Sequence, residues 1–151
     1  MRNSFTQEQL DYILDLHAKW VANEPDGVFA ELGQRCIAGL DLSGRVLTCI
    51  NFYRSDLTGC NLAGSKLASA NLEMASLNGA NLEGANLELA NLTMSNLEGA
   101  NLRNVNAVRT KFRFADLCKA DVSGVVFVKC DLYGAVTRDI TGTIVKQEEL
   151  A

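Results

Sequence analysis

The chain has 151 residues, 48% of them apolar, with 14 basic and 18 acidic residues and a formal net charge of −4. This length and apolar content suit one small domain with a core of its own. No apolar run reaches the roughly 18 residues of a membrane span and no basic-then-apolar leader opens the chain, so the expectation is a cytoplasmic protein.

The first element is a helix. In "SFTQEQLDYILDLHAKWVANEPDG", Thr6 and Gln9 have capping-box spacing, and Leu10, Ile13, Leu14, His17 and Val21 share one face. Pro25, the only proline, and Gly27 close it. The spacing predicts a helix over residues 6–22, folded as a cap on whatever follows. His17 is the only histidine and falls on the apolar stripe, so it reads as packing, and Trp20 reads the same way.

A different grammar follows. An apolar residue returns at every fifth place from Leu42 through Phe52, Leu72, Leu87, Phe112 and Phe127 to Leu132, nineteen positions with one weak member, Ala107. A period of five fits neither the ~3.6 of a helix nor the 2.0 of a strand. A chain that turns a corner every five residues satisfies it: four sides make a coil of about twenty residues, each coil burying its apolar side only by stacking on the next. Two places before each centre stand small residues such as Ser65, Ala80 and Ala100, which share the centre's inward direction. Eight of the twelve glycines fall two places after a centre, where a tight turn wants them. Asn or Asp predominates just before the centre, as at Asn61, Asn81 and Asp116, placed to bond nearby backbone. Ala107 stacks between Leu87 and Phe127, so the ring of Phe127 is expected to lean into the space that Ala107 leaves.

The units "ANLEG", "ANLEL" and "ADLCK" resemble the A(D/N)LXX repeat of the pentapeptide-repeat proteins. The resemblance implies an all-β, right-handed quadrilateral β-helix of about five coils, ~24 Å long at the usual strand spacing. It implies the organisation 1–37 helical cap, 38–136 β-helix and 137–151 C-terminal tail or cap. It also implies a non-enzymatic interaction or scaffold protein. Some members imitate DNA and protect type II topoisomerases such as DNA gyrase, and that is the alternative function. Such a mimic needs a dense negative field. Between residues 40 and 134 nine acids meet nine bases, so the repeat is neutral.

No catalytic, cofactor-binding or metal-binding residue is assigned, because a nucleophile, a base and an orienting group need a pocket in which to converge and a filled coil offers none. Glu83 and Arg103, twenty residues apart, are expected to stack as a solvated pair. The basic stretch Arg103, Arg109, Lys111, Arg113, Lys119 and Lys129 lacks clustered aromatic stacking residues, alternates with Asp116, Asp121 and Asp131, and reads as solvated surface. Of the five cysteines, Cys60 and Cys130 fall on inward phases and Cys49 and Cys118 on outward ones, all expected as free thiols. The candidate contact residues break the grammar. Met74, Met94 and Phe114 continue a column from Arg54 at intervals of twenty, and Val108, Val126 and Val128 gather near Leu89. Apolar groups held outward in a row suit a protein partner or self-association into a homodimer. Family members resemble end-to-end dimers joined through the last coil. The competing expectation is that the tail "DITGTIVKQEEL" folds back over the valines, or that a terminal segment covers the Met/Phe column.

Overall fold

The computed structural model describes residues 4–145. Helix α1 spans Gln7–Val21, and from Glu31 onward the chain is a right-handed four-sided β-helix whose sides pair in parallel with the residue twenty places on. The bridges run without interruption from Glu31↔Asn51 to Asp121↔Thr141. The ladder therefore reaches beyond residues 38–136 at both ends. Leu32 and Ile37 fill centre positions before Leu42, and Thr141 still pairs although no leucine marks its unit.

One unit shows why five residues make one side. Asn71 N–H donates to Ile50 O on the preceding coil, while Leu72 and Met74 N–H donate to Asn91 O and Thr93 O on the next. Ala75 N–H closes the corner onto Leu72 O, and Glu73 N–H is taken by Asn71 Oδ1 at 3.1 Å. All five backbone donors are thus satisfied, the fifth only because an Asn or Asp side chain stands two residues earlier. The asparagines also ladder along the axis, Asn81 donating to Asn61 and Asn101 to Asn81. Every fifth residue from Gln34 to Asp139 has a left-handed φ, as the third residue of a type II turn requires.

The centres line the core, with Leu42 to Leu97 fully buried on all four sides. Between them the small phase is filled mostly by alanines and by hydroxyls, of which Ser55 donates to Phe52 O, Ser95 to Leu92 O and Thr110 to Leu87 O, while Ser65 Oγ is buried without a partner. The Cys60 thiol likewise donates to Ile37 O, and burial pushes it up to about 11, which leaves it unreactive. Phe127 is inside, 2% exposed, its ring edge-on to Phe112 at 6.1 Å.

Helix α1 closes the N-terminal end. Thr6 and Gln9 form the capping box, and Leu10, Leu14 and His17 are buried on the first coil. Gln7 clamps the coil edge with two bonds to the Asp41 backbone, and Arg45 reaches Asp11 O and Asp15 Oδ1. Gly27 is needed because a Cβ there would lie 2.4 Å from Trp20 N, in the helix backbone itself.

His17 is wholly buried under a lid of Trp20 and Phe29. Its Nδ1 accepts from Ala30 N–H at 3.2 Å, so Nε2 carries the proton and donates to Thr48 O at 3.0 Å. Burial holds the pKa below the ordinary 6.5, against a smaller raising effect of the Thr48 bond. Above 6.5 both folded and unfolded rings are neutral; below it the unfolded ring gains a proton that the folded ring refuses, so stability falls as pH drops through 6.5. Asp41, Asp56, Asp116 and Asp121 are held below 3.8 by hydrogen bonds from the residue two places on, and their contribution is lost only as pH falls through that lower window. Urea midpoints measured from about pH 8 to about pH 5 should decline below the histidine value in the native chain and lie flat in His17→Gln. Parallel slopes in both proteins would remove His17 as the cause.

Candidate functional site

The four corners of the coil share one backbone conformation and carry very different residues. Two corners are glycine-rich: Gly39, Gly59, Gly79 and Gly99 stack on one, Gly44, Gly64 and Gly84 on the next. A Cβ added at any of these seven would meet nothing within 4 Å, so glycine is there for φ alone. The other two corners hold no glycine before Gly134. One carries Gln34, Arg54, Met74, Met94 and Phe114; the other carries Cys49, Ser69, Leu89, Arg109 and Lys129. These two corners bound a single side, whose centres are Phe52, Leu72, Leu92, Phe112 and Leu132. That side is the candidate contact surface.

Met94 and Phe114 are about half exposed, 54% and 51%, and Met74 is half-buried between its neighbours. Phe114 lies over Gly134, where a Cβ would come within 2.4 Å of the ring, and meets Tyr133 edge-on at 5.5 Å. The Arg113 guanidinium stands 5.0 Å from the Tyr133 ring and 5.8 Å from Phe114, and also pairs with Asp131 at 2.9 Å. At the other end of the same side Arg54 stands 5.2 Å from the Tyr53 ring.

The basic stretch is therefore not free of aromatics. Phe114 follows Arg113 directly in the sequence, and Tyr133, nineteen residues further on, joins the pair because twenty residues make one coil; sorting by twenty, with Gly134 as the vacancy beneath Phe114, is the signal that reveals it. The Glu83–Arg103 stack is not formed. Glu83 Oε2 accepts from Asn101, and Arg103 approaches Asp121 at 4.0 Å. The side chain after a centre leans diagonally to the residue before the next centre, eighteen places on, as Glu73 does to Asn91 and Arg113 to Asp131. Acids are thereby interleaved with bases or amides, and Glu98 is bonded to Lys119 at 2.7 Å.

Val108 and Val128 are half-buried one above the other, Val126 is exposed beside them, and Leu89 N–H bonds Val108 O at their corner. This second cluster lies on the side centred on Leu87, Ala107 and Phe127, which adjoins the contact side at the Leu89 corner, across that side from the Met/Phe column. The tail continues the coil to Thr141, and Leu132, Ala135, Ile140 and Ile144 pack, partly buried, against the core at the C-terminal end. The tail's final residues, 146–151, lie outside those described. Met94 and Phe114 stay about half exposed, Phe114 with Tyr133 and Arg113 against its ring. Cys118 departs from its outward phase: it is buried beneath Arg138, twenty residues on, in a shallow hollow with Glu98, Asp116 and Lys119. None of the five cysteines, all of them among the described residues, forms a disulfide. Among the described residues no group of three or more His, Cys, Asp or Glu is placed to hold a metal ion, and no helix is long and apolar enough to cross a membrane.

The family model for pentapeptide repeats matches residues 38–73, 70–106 and 108–136, in eight copies. The chain belongs to the pentapeptide repeat family. It is similar to solved pentapeptide repeat proteins from three sources. One is from Nostoc Pcc 7120, 26% identical, with 82% of this chain and 93% of that one covered and a TM-score of 0.44. Another, from the Arabidopsis thaliana thylakoid lumen, is 30% identical over 66% of this chain and 62% of that one, with a TM-score of 0.26. A third, from the cyanobacterium Cyanothece 51142, is 26% identical over 74% of this chain, TM-score 0.27, and the present chain spans 62% of its length. No curated protein matches the chain.

Proposed function

We propose that this pentapeptide repeat protein is a non-enzymatic interaction module whose contact surface is the side edged by Met74, Met94 and Phe114. The observation that supports this most directly is the exposure of Met94 and Phe114 at corner positions of a coil whose two other corners, beyond this side, use glycine. A side chain in the left-handed region costs roughly 1 kcal/mol, and methionine and aromatic residues are those enriched at interface centres. Topoisomerase protection by DNA mimicry has less support, since the carboxylates alternate with Lys119, Arg103 and Arg113 and form no continuous negative stripe.

Replacing Met94 and Phe114 together by Ser tests the reading. Neither side chain is in the core, so the melting temperature should stay within a few degrees of the native chain while association with a protein partner, or with another copy, is lost. A large fall in melting temperature would mean that the column is internal packing. Unchanged stability with unchanged association would remove it as a contact surface.

A further inference from the structure

We propose that the occupant of this side is a second copy of the same chain, docked antiparallel about a two-fold axis that crosses the side midway between the Met74 and Met94 levels. The inference rests on the reading of the column as a contact surface and adds the partner.

A two-fold axis running across the side sets each residue against the same corner or face position at the mirrored level. Met74 then meets Met94 of the second copy, and the pair occurs twice. Arg54 meets Phe114 of the second copy, and Tyr53 meets Arg113. Each end of the side already holds an arginine against an aromatic ring, at 5.2 Å for Arg54 and Tyr53 and 5.0 Å for Arg113 and Tyr133, so docking completes cation–π contacts from both directions. Tyr133, 65% exposed, comes opposite Gly33, which has no side chain to obstruct it.

Charge selects the orientation. Arg109, Lys111 and Arg113 occupy one level of the side and its edge. A parallel pair would set that level against its own copy, placing six cations together. The antiparallel pair sets the same level against Cys49, Asn51, Tyr53 and Arg54, so three cations of one copy meet one of the other, while at the ends Asp131 comes opposite Glu31. Like-charge juxtaposition across an interface is unfavourable, and the antiparallel pair gathers fewer cations at one level than the parallel pair, so the antiparallel arrangement is favoured. The symmetry is isologous and closes at two copies. The side is short, about 24 Å from the Glu31 level to the Asp131 level at ~4.8 Å per coil, which places the contact at the small end of specific interfaces. The pair is accordingly reversible and depends on protein concentration.

Sedimentation of the intact chain over a concentration series up to about 1 mM should show a monomer–dimer equilibrium. Met94→Glu, which brings two charges into the centre, should weaken it by about tenfold or more at unchanged melting temperature. Orientation is read by oxidising a mixture of Met74→Cys and Met94→Cys, each in a Cys49→Ser background. Cysteine is tolerated at this corner phase, since Cys49 has φ 62 in the native chain. Faster formation of a covalent dimer in the mixture than in either variant alone is the expected result. A chain that remains monomeric throughout the series overturns self-pairing and leaves the column for a different protein. A dimer unaffected by Met94→Glu, or one cross-linked equally by each variant alone, also overturns it. Binding of a short single-stranded oligothymidylate to the monomer, lost in Phe114→Ser, would reassign the basic and aromatic cluster to nucleic acid. A drop in the melting temperature of Met94→Glu would instead count against the contact-surface reading itself.

Discussion

Leu82→Asp is expected to unfold the protein, whereas Glu83→Ala next to it is expected to change stability by no more than ~0.5 kcal/mol. Leu82 is 0% exposed and stacks in the column of Leu42, Leu62 and Leu102, all buried. A carboxylate there has no cation or donor within the core to meet it, and the uncompensated charge costs several kcal/mol against a typical total stability of about 5–15 kcal/mol. The backbone offers no relief, since Leu82 N–H is already committed to Asn101 O and Leu82 O to Ala85 N–H. Glu83 points outward and its one contact is Asn101 Nδ2 at 3.3 Å. Circular dichroism with thermal melting checks both variants. Equal damage from the two would mean that the five-residue phase is misplaced.

Phe127→Ala is expected to cost ~3–5 kcal/mol, the range of large-to-small changes in a packed core. The ring is 2% exposed, sits one coil beyond Ala107 on the same side and meets Phe112 edge-on. Ala107 is already the smallest centre, so removing the phenyl group leaves two small residues in succession and a cavity that Phe112 alone does not fill. Urea unfolding monitored at equilibrium gives the value. A cost below ~1 kcal/mol would mean that the final coils collapse onto the space without penalty.

Much of the structure was legible in the order of residues. The leucine phase gave the four-sided coil because backbone pairing at twenty residues leaves no other way to bury a residue at every fifth place. Thr6 and Gln9 announced the helix start through a local bond pattern, and Leu10, Leu14 and His17 announced its buried face. Met74, Met94 and Phe114 could be assigned to one column because their alignment follows from counting alone. In each case the interaction is either local or repeats with the coil, so the sequence carries its register.

What lay beyond sequence was decided by direction and by ends. Glu83 and Arg103 have the right spacing for a pair, yet each leans along the diagonal to Asn101 and Asp121, because the side chain after a centre and the one before the next centre are the closer neighbours in space. Cys118 has an outward phase and is buried nonetheless, since Arg138 of the following coil lies over it. The extension of the ladder to Thr141 depends on backbone pairing that needs no leucine. Sequence by itself determined the period, the core and the alignment of the corners, which repeat at every coil; only the tertiary structure decided how Phe114, Tyr133 and Arg113 gather into one exposed cluster, because that requires side chains from successive coils to lean toward one another over the space left by Gly134.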